Sequence, residues 1–368
     1  MATAQKPPEL NVPHSNSIVQ ISIIDTTSRI SIPSAYFVHP SIPGFEDLDT
    51  CAYSFLIKRS DTAIKTKYDT LVFDLGIRTD LEKGPTGIVE ELTTNPAVDL
   101  SARKDVATIL RENGQALEDV GGIIWSHWHV DHTGDPATFP SSTDLIVGPG
   151  FTSSFVPAFP TVPDSPVDER AWQGRTLREI DFYAEGKGLR IGKFEAFDFY
   201  EDGSFYLLNT PGHAVGHLCA LARTTANPPT FMFLGGDIAH HGGEFRPTQY
   251  LPLPDRICPS PLDAPFMATP SLCPGEIFQA IHPKNSRTEP FFKPTGDFHA
   301  DDQEARRSIV KMTEFDAYDQ VFSVIAHDKS LLDVVDFYPT TANDWHARGW
   351  GKEGRWRFLR SFDTKGRQ

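Results

Sequence analysis

The sequence is poor in several features that would assign it to common classes of protein. It has only 4 cysteines and 4 methionines among 368 residues, and the cysteines show no Cys-x-x-Cys spacing. A disulfide framework is therefore not expected. No apolar run approaches the ~20 residues that a membrane-spanning helix needs. Residues 1–15 also contain no apolar stretch typical of a secretory signal, so the expected location is the cytoplasm.

Basic residues are also scarce. The chain has 34 lysines and arginines against 49 aspartates and glutamates, which gives a net charge of −15. This charge disfavours binding to the phosphate backbone of nucleic acids or to an anionic membrane surface. The expected partner is therefore a small molecule, and formation of a homodimer stays open.

What the sequence does contain is a dense group of metal-ligating side chains. His127, His129, Asp131 and His132 fall within six positions, directly after the apolar run 121–125. They cannot all be buried as structural residues, because each would need its own polar partner. Imidazole and carboxylate groups together suit zinc, iron, manganese or cobalt. This loop is therefore predicted to bind metal.

Further candidate ligands follow along the chain. His213, Asp237 and His327 each come at or closely after the end of a short apolar run that is typical of a strand. Ligands at strand ends are held rigidly, as a preorganised metal site requires. The seven residues in this order form a far more specific signal than any one short motif.

The pattern resembles the metallo-β-lactamase superfamily over roughly residues 72–328. The resemblance rests on His-x-His-x-Asp-His at positions 127–132 and on the three later ligands in their order. It implies an αββα sandwich in the α/β class, whereas periodicity alone indicates only a mixed α/β fold with antiparallel strands. Within the superfamily, the chain resembles the branch of N-acyl homoserine lactonases and of fungal hydrolases that act on lactones, lactams and cyclic carbamates.

The resemblance further implies two metal sites that share the carboxylate of Asp237. The imidazoles of His127, His129 and His213 would complete the first site. Asp131 and the imidazoles of His132 and His327 would complete the second. Zinc is the expected divalent ion, with manganese, iron and cobalt as alternatives. Two such ions share a hydroxide, which would open a lactone, a γ-lactam or a cyclic carbamate such as a benzoxazolinone-type ring. Asp131 would orient that hydroxide and pass its proton to the leaving group.

Candidate substrate contacts lie close to these ligands in the sequence. In the lactonases that the chain resembles, a tyrosine three residues after the bridging aspartate contacts the substrate carbonyl, and here that position is His240. An imidazole can donate the same hydrogen bond, which makes His240 a catalytic candidate, with His241 as the alternative contact. Trp128, Phe245 and Tyr250 are candidates for the walls of an aromatic pocket. A ring hydrolase of this branch would serve detoxification of plant defence compounds.

A second enzyme class stays open at this point, which is hydrolysis of thioesters of glutathione or of a polyketide carrier protein. A glutathione substrate would favour a basic patch, and the C-terminal region offers the basic residues Arg348, Lys352, Arg355, Arg357 and Arg360 for it.

The predicted organisation is a flexible arm (1–17), a metallo-β-lactamase-like domain (18–340) and a C-terminal tail (341–368). Residues 245–299 hold eleven of the 30 prolines and are predicted to be an inserted cover over the metal cleft. Whether Cys258 and Cys273, which flank a proline-rich loop there, form a disulfide stays open.

Local patterns predict three helices, and the resemblance to the metallo-β-lactamase superfamily implies one supporting contact. The helices are a segment from Ser101 to Asn113 capped by Ser101, a helix starting at Asp301, and a short closing helix over 331–337. Asp74, at the end of an early strand, is expected to support the metal loop by hydrogen bonds.

Overall fold

Two β-sheets packed face to face form the centre of the molecule. The computed structural model describes residues 4–60, 65–184, 188–296 and 298–362. The first sheet contains β1 (Val19–Pro33), β3 (Asp47–Arg59), β4 (Thr70–Phe73), β5 (Asp99–Ser101), β6 (Gly122–Ile124), β7 (Asp144–Val147) and β8 (Leu177–Glu179). The second contains β9 (Leu189–Ile191), β10 (Phe194–Asp198), β11 (Phe205–Asn209), β12 (Leu218–Ala226), β13 (Pro229–Leu234) and β17 (Val321–Val324).

Smaller elements surround the two sheets. Two short antiparallel pairs join β2 (Val38–His39) to β16 (Lys293–Pro294) and β14 (Arg256–Ile257) to β15 (Cys273–Pro274). The helices are α1 (Thr86–Thr94), α2 (Val106–Glu112), α3 (Val130–Thr133), α4 (Phe151–Phe155), α5 (Gly275–Ile281), α6 (Asp302–Asp316) and α7 (Trp350–Gly354).

Apolar side chains alternate along the strands and divide the interior into layers. Inward-facing residues of both sheets, such as Phe55 and Leu207, form one buried cluster between the sheets. Leu110 of α2 packs on the outer face of the first sheet, and Met312 of α6 packs on that of the second. A helix layer thus covers each sheet, which agrees with the predicted αββα sandwich.

The sheet topology brings the ends of several strands to one edge. The strand order is β5-β1-β3-β4-β6-β7-β8 in the first sheet and β17-β13-β12-β11-β10-β9 in the second. Strands β13 and β17 are parallel neighbours, so the residues that follow them emerge side by side. Ala326 N donates to Gly236 O at 3.0 Å and joins the two chain segments just beyond the strands. This pairing places Asp237 next to His327.

Two local predictions are wrong. Ser101 does not cap a helix but ends β5, where it pairs with Arg29, and the helix starts later with Asp105 accepting a hydrogen bond from Thr108 N. Residues 332–337 form turns and bends after a short 3₁₀ helix at Lys329–Leu331, although Leu331, Val334 and Val335 are buried in the core at a spacing that a helix would also have. The third prediction is confirmed, since Asp301 caps α6 by accepting from Gln303 N and Glu304 N.

The segment 245–299 contains short regular elements, namely β14, β15, α5 and β16. Phe278 and Phe292 are buried in an apolar cluster with Ile30 and Ile32 of β1. Cys258 and Cys273 are both free thiols. The division of the chain into arm, domain, cover and tail stays a prediction, and residues 1–3 and 363–368 lie outside the described part of the chain. Among the described helices, none has the length and apolar character to cross a membrane.

Candidate metal centre

The loop after β6 is held in place by Asp74, which follows β4. One carboxylate oxygen of Asp74 accepts from Ser126 N at 2.6 Å, and the other lies 2.9 Å from Nδ1 of His132. Because Nδ1 of His132 donates to this carboxylate, its Nε2 lone pair faces away from Asp74. The predicted supporting role of Asp74 is thus seen in the structure.

The first predicted ligand set converges on a small volume. Nε2 of His213 lies 3.1 Å from Nε2 of His127 and 3.0 Å from Nδ1 of His129. It also lies 3.5 Å from Oδ2 of Asp237. One potential ligand atom from each of the four residues lies within 4.8 Å of the others. Three nitrogens and one oxygen at this spacing can hold a single metal ion.

The second set converges beside the first. Nε2 of His132 lies 3.0 Å from Oδ1 of Asp237, and Nε2 of His327 lies 3.1 Å from its Oδ2. The same His327 nitrogen is 3.3 Å from Oδ2 of Asp131. One potential ligand atom from each of these four side chains also lies within 4.8 Å of the others. Asp237 belongs to both groups, so the geometry agrees with a shared carboxylate.

Hydrogen bonds behind the cluster fix several of its members. Nδ1 of His327 donates to Cys51 O at 2.6 Å, and Nδ1 of His127 lies 3.0 Å from Ser126 Oγ. Nε2 of His217 accepts from Asp237 N at 3.0 Å, so His217 holds the backbone of the shared carboxylate. Partners of this kind orient metal ligands and set their tautomers.

The unpaired atoms in the cluster fit a cation. His132 Nε2 and Asp237 Oδ1 are buried and have no hydrogen-bond partner among the described residues, although they lie 3.0 Å apart. They approach each other without the alignment that a hydrogen bond requires. Buried polar atoms without partners are costly, and a metal ion between them would satisfy both.

The electrostatics of the cluster point the same way. Burial lowers the pKa of His127 and His213 well below the ordinary value, and it lowers that of His129 to about 4. Burial acts in the same direction on His132, but the nearby carboxylates outweigh it and raise the pKa of His132 well above the ordinary value. Burial raises the pKa of Asp237, but His132 and His327 outweigh it and lower that pKa well below its usual range. The carboxylates thus attract positive charge, which a metal ion would supply in place of protons.

The cluster opens into a cavity of about 740 Å³ with two unlike walls. One wall carries the polar side chains His129, Asp131, His213, Asp237, His240, His299 and His327. A second part of the lining, here called the apolar wall, includes Ile30, Ile32, Ile88, Leu92, Val98 and Leu100. No lysine or arginine of the described chain lines this cavity. Trp128 lies on its lining, as predicted for a wall residue.

His240 and His241 face different surroundings. His240 is buried on the cavity wall, with Nε2 3.4 Å from Oδ2 of Asp237 and no hydrogen-bond partner for either ring nitrogen among the described residues. Glu244 accepts hydrogen bonds from the backbone of both histidines, at 2.6 and 3.0 Å, and fixes this turn. The His241 ring packs 4.7 Å from that of Phe45, and its Nε2 lies 3.0 Å from Ser361 Oγ.

Three predicted substrate contacts do not reach this cavity. His241 instead lines a second cavity of about 610 Å³. Phe245 is buried in the core beneath the second sheet with Phe233, and Tyr250 does not lie on the described lining. Phe245 thus contributes to packing of the core and not to the cavity. Its residue type alone could not reveal this.

His299 is a cavity residue that the sequence analysis missed. Its Nδ1 lies 3.1 Å from Nδ1 of His213, and its ring centroid is 5.5 Å from that of His240. Burial, with the neighbouring imidazoles, lowers the pKa of His299 to about 3. It follows no apolar run and belongs to no short motif, so the sequence carries no signal for its position.

Comparison with known proteins relates the whole chain to fungal hydrolases. It is 53% identical over 365 residues to Gamma-lactamase FDB1 of Fusarium pseudograminearum, a match that covers 98% of this chain and 87% of that protein. It is 42% identical to Metallo-hydrolase mfmC of Annulohypoxylon moriforme, covering 98% of this chain and 92% of that protein. No protein-family model matches the sequence.

A solved structure of an N-acyl homoserine lactone hydrolase, with product bound at its catalytic metal centre, has a similar fold. The TM-score is 0.56 at 14% identity, and the match covers 88% of this chain and 99% of that one. This likeness confirms the fold, and the sequence identities establish the kinship. The chain belongs to the family of these fungal γ-lactamases and metallo-hydrolases, and it has the metallo-β-lactamase fold.

Proposed function

We propose that the protein is a metal-dependent hydrolase that opens a cyclic ester or a cyclic amide. The convergence of seven potential ligand side chains, five of which line the cavity, supports this most strongly. The relatives named γ-lactamase and metallo-hydrolase support the same chemistry. Substrates would be neutral lactones, γ-lactams or cyclic carbamates.

Two metal ions fit the donor set. His127, His129 and His213 would hold one ion, and Asp237 would belong to both sites. Asp131, His132 and His327 would complete the second site. Zinc suits this mixture of imidazole and carboxylate, as do manganese, iron and cobalt. Bound here, such ions would supply Lewis acidity for a carbonyl oxygen and make water acidic enough to act as a nucleophile at neutral pH.

The side chains around the cluster would supply proton transfer and orientation. The carboxylate of Asp131 reaches the cavity and is only partly buried, so it can take a proton from water and deliver it to the leaving oxygen or nitrogen. The ring nitrogens of His240 have no hydrogen-bond partner among the described residues, so the ring can donate a hydrogen bond to the substrate carbonyl oxygen. The apolar wall would exclude water from the rest of the substrate.

The charge of the cavity disfavours the thioester alternative. Glutathione and phosphopantetheine carry negative charge. Away from the proposed metal ions, the described lining of the cavity offers the acidic Glu91 and no lysine or arginine to bind that charge. Four of the five C-terminal basic residues form ion pairs with carboxylates, for example Arg355 with Asp319 at 2.7 Å and Arg357 with Asp333 at 3.1 Å. They therefore contribute to the packing of this region, and a neutral ring is the better substrate.

A substrate panel tests this proposal. Zinc-loaded protein is incubated with a neutral lactone, a γ-lactam, a benzoxazolinone-type carbamate and an acyl-glutathione thioester, and addition of one water is followed by mass spectrometry. We expect at least one ring to open, at a rate that falls to background after chelation. Faster hydrolysis of the thioester than of every ring would contradict the proposal. The variant Asp131→Asn, assayed at equal zinc content, controls for hydrolysis by a contaminating enzyme.

A further inference from the structure

The second ring nitrogen of His213 contacts another imidazole. Nε2 of His213 lies 3.0 Å from Nδ1 of His129 and faces the predicted ligand cluster, whereas its Nδ1 lies 3.1 Å from Nδ1 of His299. Two ring nitrogens at this distance form a hydrogen bond only when one of them carries the proton.

The direction of this hydrogen bond follows from the role of His213. A neutral imidazole that offers Nε2 to a metal keeps its proton on Nδ1. His213 would therefore donate, and Nδ1 of His299 would accept. His132 and His327 use their two ring nitrogens in the same way. Nδ1 of each ring contacts an oxygen atom behind the cluster, and Nε2 faces the cluster.

Backbone contacts hold His299 in register with His213. Ala300 N donates to His213 O at 2.9 Å, and Asp301 N donates to Gly212 O at 2.8 Å. Gly212 has a φ of 125°, and a Cβ atom there would lie 2.1 Å from Ala305 N, so a side chain would block this close approach. The two segments are therefore fixed against each other at the first turn of α6.

The other side of His299 is fixed as well. The ring of Phe298 stacks on that of Phe37 at 5.1 Å, and Thr295 N donates to Phe37 O at 2.9 Å. His299 thus lies between two anchored residues, which limits the freedom of its ring.

We propose that His299 is a positioning residue for metal binding, which accepts a hydrogen bond from His213 and holds the Nε2 lone pair of His213 toward the cluster. This inference rests on the metal centre of the proposed function, but it does not depend on the substrate. Replacing residues that support a metal ligand in this way typically weakens metal binding ~10–100-fold.

Zinc affinity tests the role directly. The metal-free protein is titrated with zinc against a chromophoric chelator, for the wild type, His299→Ala, His299→Asn and the exposed control His346→Ala. We expect His299→Ala to bind one of the two ions ~10–100-fold more weakly and the control to match the wild type. Asparagine should restore most of the affinity, because its Oδ1 can accept in place of the imidazole Nδ1.

Wild-type affinity for both ions in His299→Ala, or no recovery in His299→Asn, would overturn the proposal. If the alanine variant does not fold, long-range proton–nitrogen spectra of zinc-loaded wild type give the answer. His213 should carry its proton on Nδ1 and His299 on Nε2, and a proton on Nδ1 of His299 would overturn the proposal. Expected affinities without hydrolysis of any ring would support this role and contradict the proposed function alone.

Discussion

The two walls of the large cavity are built differently. On the polar wall, Asp237 and His327 are buried just beyond the ends of two strands. Asp237 N donates to Nε2 of His217, and Nδ1 of His327 donates to the Cys51 carbonyl. The apolar wall includes α1, in which no residue is fully buried. Buried, hydrogen-bonded groups hold a precise geometry, whereas half-buried elements tolerate change. We therefore expect the polar wall to determine the catalytic chemistry and the apolar wall to determine the choice of substrate.

The largest effect on the polar wall is expected from Asp237→Ala. Its carboxylate approaches both ligand sets, so its removal should release both ions. Metal affinity should fall by more than the ~10–100-fold that is typical when a residue that only supports a ligand is replaced. Elemental analysis and kcat/KM are measured together. Asp336→Ala, which removes an exposed carboxylate, is the control. If Asp237→Ala retained two ions, Asp237 would not bridge the two metal sites.

Replacing Asp131 by asparagine should remove proton transfer with little change in shape. The expected loss is ~10²–10⁴-fold in kcat, because an amide cannot take up and deliver a proton. Since Asp131 is also a predicted ligand, kcat must be compared at equal metal content. Full activity in a metal-loaded Asp131→Asn variant would assign proton transfer to another group.

Variants of the neighbours His240 and His241 distinguish a residue of the cavity wall from a residue that packs behind it. His240→Ala should lower kcat/KM by ~10²–10³-fold without loss of metal, as expected when a donor to the developing negative charge is removed. His241→Ala should instead destabilise the fold by about 1–3 kcal/mol, because the buried backbone N–H of Gly243 loses its acceptor, Nδ1 of His241.

Steady-state kinetics and thermal unfolding distinguish the two variants. A large kinetic loss for His241→Ala, with His240→Ala unaffected, would reverse their roles. Unchanged kinetics in both variants would indicate that the metal ions alone bind the substrate carbonyl.

The smallest effect is expected on the apolar wall. Leu100→Ala should raise KM about tenfold for a ring with an apolar substituent, because hydrophobic pockets discriminate weakly between neighbouring sizes. Metal content and kcat should not change. The exposed Val310→Ala on α6 serves as the matched control, and a selective loss of kcat would contradict the division of the two walls.

The sequence predicted the polar wall far better than the apolar one. Ligands such as His127 and Asp237 stand out because their residue types are costly to bury without a function, and their order indicated the superfamily. Neighbouring residues of an extended segment face opposite ways, but this alternation cannot decide which of His240 and His241 faces the cavity.

The remaining features depend on tertiary contacts. His299 comes close to His213 only because two backbone segments pair at the start of α6. Leu92 and Leu100 look like ordinary apolar residues of a helix and a strand, and their common cavity appears only when those elements are placed side by side. Phe245 shows the opposite case, in which an aromatic residue of an apparent cover belongs to the core.

Titration of the metal-free protein with zinc, with ring hydrolysis measured after each addition, tests the central claim most directly. Two converging ligand sets that share Asp237 predict that activity rises with added zinc until two ions per chain are bound and then stays constant. Full activity after one equivalent, or activity that does not depend on zinc or on any of the alternative divalent ions, would contradict a catalytic centre of two ions.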